Sequence, residues 1–472
     1  MVTQAAPHPP SEVPQDFGVG KLLKETRSIC SGCLEKIPAR VFERDRQVWM
    51  DKTCPQHGHY SALLAANARH YYKFDEALGS SGSCCGPGQH CGDQTANHSC
   101  NMLLEITQRC NLTCPTCYAD SSPHKDQSLT MEEFRALVAG LLDKGKGTAD
   151  LIQLSGGEPT IHPDFFEMVE HALAAGIKQV YVNTNGIKLA GRAFAQRLAA
   201  FPRDKVHVYL QFDGFQRRTL QLIRGDGDLL EKKLAALTNC EELGINTVLV
   251  MVMTPGINDG EVGAFLERAQ KSPVVRKVMI QPAMYSGRYD NPRRVDRTTV
   301  ADVVARICEQ SGGTFHPRDF GPIPCSDPNC FSMAAALRTQ TGLIPVSRYF
   351  ARYGTWSKPG TKEIIGEVSQ QFDDPGVLQT VIVRAMKNRA LARLDDATVD
   401  ALLEQVALLQ SASAGRTEGW GGLFVIGIKP FMDAYTYDQD RIDRCCVHII
   451  SRDGTPVSFC EYNAINRPTG RL

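Results

Sequence analysis

Seventeen cysteines in 472 residues constrain this chain more than any other feature. A secreted disulfide scaffold is short and carries a signal peptide. The opening MVTQAAPHPPSEVPQDF has no basic start and no apolar stretch, so residues 1–19 read as a disordered lead-in rather than an export signal. Thiols kept reduced in such numbers point to metal and to a cytoplasmic location. Their positions agree. Ten lie between Cys30 and Cys117, and five, Cys325, Cys330, Cys445, Cys446 and Cys460, fall in the last third. Cys240 and Cys308 stand apart, inside helical patterns, where a buried structural thiol is expected.

Charge excludes one class of partner. Lys+Arg and Asp+Glu both number 52, and a nucleic-acid surface needs a basic excess. No apolar run is long enough to span a bilayer.

From 101 to 284, short β-branched runs alternate with helical periods. The runs are 103–107, 151–155, 179–184, 207–212, 246–253 and 277–282. Strand–helix alternation predicts a parallel sheet with helices outside it. Six units are too few for a closed eight-stranded barrel, so the expected fold is α/β, a (βα)6 partial barrel with its chemistry at the C-terminal strand ends. Around it the sequence divides into a metal-binding module (20–75), a cysteine-rich loop (76–100), a mostly helical region (285–414) and a C-terminal cysteine segment (415–472).

The first barrel strand leads into Cys110-Asn-Leu-Thr-Cys114-Pro-Thr-Cys117. Three thiolates on one short loop can hold three irons of a 4Fe-4S cube and leave the fourth iron open, whereas electron-transfer clusters take four cysteines. An open iron can bind the amino and carboxylate groups of S-adenosylmethionine (SAM) and begin radical chemistry. The companions fit. The second strand ends in Gly156-Gly157-Glu158-Pro159, where glycines let the backbone approach a ligand closely and a carboxylate can accept from an ammonium. Asn183, Thr184 and Asn185 end the third strand, and Gln211 and Asp213 the fourth, as partners for ribose hydroxyls. Arg224 would bring a guanidinium to the SAM carboxylate.

The remaining cysteines form further sets. Cys30-x2-Cys33 and Cys54-x2-His57 give a ribbon spacing for one zinc or iron ion, with a thiol of the 84–100 loop as an alternative fourth ligand. Cys84, Cys85, Cys91 and Cys100, with Cys325, Cys330, Cys445, Cys446 and Cys460, supply nine thiols, and two 4Fe-4S clusters need eight. The sequence does not assign thiols to clusters. Cys84-Cys85 and Cys445-Cys446 point opposite ways if extended, so one of each pair can ligate while the other packs or serves another site.

CNLTCPTC, SGGEPT and the TNG strand end resemble the radical SAM superfamily. CSGCLEKIPARVFERDRQVWMDKTCPQHG, CCGPGQHCGDQTANHSC, IPCSDPNC and RCCVHIISRDGTPVSFCEYN resemble one branch of it, which includes archaeal tetraether lipid synthase and 7,8-dihydro-6-hydroxymethylpterin dimethyltransferases. The resemblance implies a rubredoxin-like mononuclear site and two auxiliary 4Fe-4S clusters. The superfamily often places an aromatic residue before the third cysteine. Thr116 stands there in this chain, and Tyr118 is left to shield the adenine.

The resemblance leads first to radical coupling of sp3 carbons in lipid chains, with an apolar tunnel and peripheral membrane contact. The alternative is radical C-methylation of a pterin or other small heterocycle, for which Asp433 and Tyr435 are candidate polar contacts. A multi-cluster electron carrier is a third reading, disfavoured because a carrier has no use for a SAM pocket. Either enzymatic reading requires an electron donor such as a ferredoxin or flavodoxin.

Overall fold

The computed structural model describes residues 20–72, 99–144, 149–289, 297–323, 326–339, 342–347, 400 and 422–470. The first of these segments is an antiparallel sheet of β1 (Lys21–Ile29), β2 (Lys36–Arg44), β3 (Gln47–Cys54) and β4 (Gly58–Ala65), in chain order. β2 and β3 alternate buried with more exposed positions, the period of a half-buried sheet. Asp45 and Arg46 join them with φ of 50° and 62°, the two left-handed residues of a type I′ hairpin.

The expected six units are present. Their strands are β5 (Asn101–Thr107), β6 (Ala149–Gly156), β7 (Ile177–Thr184), β8 (Val206–Gln211), β9 (Thr247–Met253) and β10 (Val275–Pro282), neighbours in that order and all parallel. They are apolar and buried nearly throughout, as strands covered on both faces must be. Helices α1 (Met131–Lys144), α2 (Phe165–Ala175), α3 (Arg192–Ala199), α4 (Arg217–Arg224), α5 (Leu229–Leu243) and α6 (Val262–Lys271) pack outside. Thr130 and Glu133 form a capping box that starts α1, the Glu133 backbone N–H donating to the Thr130 hydroxyl and the Thr130 N–H to the Glu133 carboxylate.

The sheet extends beyond these six strands. Helix α7 (Val300–Gln310) precedes β11 (Gly321–Pro322), β12 (Ser332–Thr339) and β13 (Gly342–Pro345). The C-terminal segment adds β14 (Leu423–Ile428), β15 (Val447–Ile450) and β16 (Pro456–Ser458). β14 lies parallel beside β10 and β15 parallel beside β5, so eight parallel strands stand in a row. The described part of 285–414 therefore holds strands as well as helix. The alanine-rich β12 is buried at every residue between β13 and β14, and that burial overrides its weak intrinsic β preference. The helical stretches expected between 362 and 410 lie outside the described residues, apart from Asp400.

The four-stranded module is joined to the C-terminal segment. Ile29 and Leu34 pack in one apolar cluster with Met284, Met432, Tyr437 and Phe459. Buried Lys52 donates to the Ser28 hydroxyl and to the carbonyls of Ile29 and Ala434, at 3.0, 2.7 and 2.6 Å.

Candidate functional site

The loop after β5 carries Cys110, Cys114 and Cys117. All three line a cavity of about 1180 Å³, together with Tyr118, Gly156, Gly157, Glu158, Asn183, Thr184, Asn185, Gln211 and Arg224. Cys110 and Cys114 are buried, and the three are free thiols. Burial pushes the Cys110 thiol up to about 12. It raises Cys114 as well, against a lowering pull from Arg224. Thiols this reluctant to ionise become thiolates when a metal replaces the proton, so the donor set fits an iron–sulfur centre.

The two glycines act differently from the sequence expectation. Gly156 has φ +120°, and a Cβ there would stand 2.0 Å from the Thr107 carbonyl oxygen. At Gly157 it would stand 2.1 Å from the Arg109 carbonyl oxygen. The close approach is to the backbone entering the cysteine loop. Two hydrogen bonds hold it, Gly157 N–H to Thr107 O at 2.6 Å and Glu158 N–H to Arg109 O at 2.9 Å.

Glu158 is buried, and its carboxylate ties the ends of β6 and β7 together. Oε1 accepts from the Thr160 backbone N–H and hydroxyl and from the Thr184 hydroxyl; Oε2 accepts from the Asn185 backbone N–H at 2.7 Å. Burial still raises its pKa. Pro159 starts the short turn behind it and does not line the cavity. The Asn183 amide donates to the Ser155 hydroxyl, and the Asn185 amide reaches Asn111 within the cysteine loop, at 2.7 Å. Asp213 is likewise not on the wall. It is fully buried and receives Arg224 through two nitrogens, at 2.6 and 2.9 Å, and the Val252 N–H at 2.9 Å. Its task is to aim Arg224. Burial opposes the Arg224 charge, and Asp213 more than restores it. Tyr118 packs edge-on against Phe459, with ring centroids 5.4 Å apart.

Two basic residues escaped the sequence reading. Lys233 of α5 is buried, and its ammonium donates to the carbonyls of Asn185 and Gln211 and to the Gln211 side-chain oxygen. Burial lowers it to about 8. The signal was available. Leu229, Lys233, Ala236, Leu237 and Cys240 share the buried stripe of α5, so this lysine sits in phase with the apolar residues. Arg288, beyond β10, clamps the cysteine loop. Its side chain donates to Cys114 O, Ser121 O and Asp120, at 3.1, 2.6 and 3.0 Å, and its N–H donates to Cys117 O at 2.9 Å. Gly287 beside it, at φ +63°, leaves no room for a side chain against the Cys117 and Tyr118 carbonyls.

A second thiol group stands at the C-terminal side. Cys330, Cys445, Cys446 and Cys460 are all buried. Arg441 Nε lies 3.4 Å from Cys330 Sγ, and the Met432 N–H lies 3.3 Å from Cys460 Sγ. Cys446 lines the cavity, whereas Cys445 turns its sulfur to Val447. Cys100 also lines the cavity, and its N–H donates to Cys446 O at 2.9 Å. Cys84, Cys85, Cys91 and Cys325 lie outside the described residues. Cys240 is buried in the core, and Cys308 packs partly buried against it. Asp433 is buried under Arg297, which it accepts at 2.8 and 3.1 Å, so it offers no cavity contact; Tyr435 does not line the cavity either.

The N-terminal module brings Cys30, Cys33, Cys54 and His57 together, their ligand atoms all within 4.8 Å of one another. Cys33 Sγ to Cys54 Sγ is 3.9 Å, and His57 Nδ1 lies 3.5 and 3.6 Å from the sulfurs of Cys30 and Cys54. A tetrahedron with metal–ligand distances of about 2.3 Å to sulfur and 2.0 Å to nitrogen has edges of about 3.8 and 3.5 Å. The four groups therefore fit a single ion. The His57 ring contact lowers the Cys54 thiol to about 6.

The comparisons with known proteins agree with this geometry. Residues 104–269 match the Radical SAM superfamily, and residues 22–66 match the HMPTM N-terminal zinc ribbon domain. A 7,8-dihydro-6-hydroxymethylpterin dimethyltransferase of Methanocaldococcus jannaschii is 30% identical and is matched over 94% of both chains. The chain belongs to the radical SAM superfamily. A probable GTP 3',8-cyclase of Methanothermobacter thermautotrophicus is 29% identical over 40% of this chain and 60% of its own. Among solved structures, Streptococcus suis SuiB bound to its precursor peptide SuiA has a TM-score of 0.39 and 13% identity, covering 46% of this chain and 47% of that one. As a radical SAM enzyme the chain uses a 4Fe-4S cluster and SAM, and it needs a reductant and a substrate. Among the described residues no helix is long and apolar enough to cross a membrane.

Proposed function

We propose that the chain is a radical SAM methyltransferase that methylates carbon in a pterin or a closely similar flat heterocycle. The observation that carries this reading is the 94% mutual coverage with the pterin dimethyltransferase, ribbon included. The lipid-coupling expectation has no counterpart in the names of the relatives given above, and the helices that would extend a tunnel lie outside the described residues.

In this reading Cys110, Cys114 and Cys117 hold the SAM-cleaving cluster. Once reduced, that cluster supplies homolysis of SAM and with it a radical able to take hydrogen from carbon. The rest is the work of the chain's own side chains. Arg224, aimed by Asp213, offers a guanidinium to the SAM carboxylate. Glu158 fixes the ends of β6 and β7, so that Asn183 and Asn185 present amides to the cavity. Lys233 ties the ends of β7 and β8 from behind. Phe331, Phe431 and Phe459 line the cavity with flat apolar faces, with Gln281 as a polar contact, which suits a planar ring with polar edges. Cys30, Cys33, Cys54 and His57 hold one zinc or iron ion. Cys330, Cys445, Cys446 and Cys460 belong to the auxiliary clusters, with Cys100 and the thiols at 84, 85, 91 and 325. A ferredoxin or flavodoxin serves as electron donor.

The test is anaerobic turnover of reduced, cluster-loaded protein with SAM and 7,8-dihydro-6-hydroxymethylpterin, followed by mass spectrometry. Gain of one or two methyl groups on the pterin is expected. 5'-Deoxyadenosine formation with an unmodified pterin would retain the radical chemistry and overturn the substrate.

A further inference from the structure

The mechanism above does not use Lys429, a lysine that opens onto the cavity directly after β14. Its backbone N–H continues the sheet, donating to Ile280 O at 3.0 Å. Its ammonium stands 5.9 Å from the ring centre of Phe331 and 5.8 Å from that of Phe431. Those residues flank the C-terminal thiol group in sequence and space: Phe331 follows Cys330, and Phe431 packs at a tilt, ring centroids 4.2 Å apart, on Phe459, the neighbour of Cys460. Cys446 opens onto the same cavity.

A cation taken out of water needs an anion nearby. For Arg441, the other cation at these thiols, carboxylates serve as well as sulfur: Asp327 and Asp438 act on it along with Cys330. For Lys429 the charges that act most strongly are the thiols of Cys446, Cys330, Cys445 and Cys460, and together they raise its pKa against the cost of burial. Once those sulfurs are deprotonated, the thiol group is its counter-charge. With neutral thiols such a lysine would be a poorly compensated charge. With thiolates bound to iron it is a matched one.

We propose that Lys429 is a positioning residue that raises the reduction potential of the auxiliary iron–sulfur centre on the C-terminal cysteines, its side chain lining the cavity that Cys446 also lines. The inference rests on the auxiliary-cluster part of the proposed function. Iron–sulfur potentials follow net charge and hydrogen bonding around the sulfurs. A fixed positive charge favours the more negative, reduced state and raises the potential. Lining the cavity, the Lys429 ammonium would make an iron–sulfur centre held by these cysteines easier to reduce from the cavity side. Arg441 also touches these thiols, its Nε 3.4 Å from Cys330 Sγ, but it does not line the cavity.

The experiment is a potentiometric titration followed by electron paramagnetic resonance, on full-length reconstituted protein, comparing wild type with Lys429→Met, Lys429→Gln and Lys429→Arg. Iron content is measured on each sample, and about 12 to 13 irons per chain are expected for three cubes and a ribbon ion. One auxiliary signal should move to lower potential in the Met and Gln variants and return toward the wild-type value with Arg, while the SAM-responsive signal stays in place. An unmoved midpoint at full iron content overturns the inference and leaves the auxiliary clusters intact. Loss of that centre's iron in both the Met and Gln variants overturns tuning in favour of a structural role. About four or five irons in the wild type would remove the auxiliary clusters and the inference together.

Discussion

Replacing Gly156 by alanine separates the two explanations for the glycine pair. The new Cβ would stand 2.0 Å from the Thr107 carbonyl oxygen, and a carbon–oxygen contact requires about 3.3 Å. The β6 end and the entry to the cysteine loop must then part by roughly 1.3 Å. Left-handed backbone in a non-glycine residue costs about 1–2 kcal/mol, and losing the Gly157–Thr107 hydrogen bond adds about 1 kcal/mol. A displacement of this size at a reacting site costs on the order of 100-fold in rate. Gly176→Ala is the control. Gly176 has φ +111°, but nothing lies within 4 Å of its Cβ position, so only the backbone cost applies. The assays are thermal melting and 5'-deoxyadenosine formation from SAM. Gly156→Ala should melt below Gly176→Ala and lose about 100-fold in SAM cleavage, with Gly176→Ala cleaving as the wild type does. A Gly156→Ala protein with wild-type rate and the melting point of Gly176→Ala would refute the argument.

Arg288→Ala removes three side-chain bonds to the cysteine loop and should lose about four irons per chain, read by iron analysis after gel filtration; Arg288→Lys should recover part of them. His57→Ala should lose the ribbon ion, and because Lys52 links Ile29 to Ala434, hydrogen exchange should quicken around residues 430–438 as well as in the ribbon; protection unchanged in 430–438 would show the two parts to be independent. Burial holds Lys233 at about 8, below the ordinary 10.5, so its charged form carries a cost in the folded state below pH 8 that is relieved as pH rises from 8 to 10.5. The urea midpoint of the wild type should therefore rise relative to Lys233→Met across that window, and a constant difference would contradict the assignment.

Much of this was legible in the chain itself. The six strand–helix units are legible because their strands are short, largely apolar runs and their helices keep a 3.6-residue period. The ribbon read correctly because its four ligands come as two short pairs. What the sequence concealed were relations between distant segments. Nothing near Leu423 or Val447 announces that these strands flank the barrel on opposite sides, because that placement depends on β10 and β5, far away in the chain. β12 looked unlike a strand because alanine has little β preference, and its burial between two partners exists only in the folded sheet. The sequence suggests that Gly156 and Gly157 let the backbone approach a ligand; what approaches in the structure is the Thr107–Arg109 backbone, a contact the sequence does not encode locally. Asp213 was placed at the correct strand end, but its partner Arg224, eleven residues on, turns it away from the cavity. Lys233 is in phase with the apolar stripe of α5, although lysine usually marks a solvent face.

The central claim is that Cys110, Cys114 and Cys117 hold a cluster that cleaves SAM. Its most direct test is 5'-deoxyadenosine formation from SAM by the anaerobically reduced, reconstituted protein, with Cys114→Ala alongside. The wild type should form the nucleoside, and the variant should form none while keeping its ribbon ion and auxiliary iron. Formation at equal rates by both proteins, or by neither, would contradict the account.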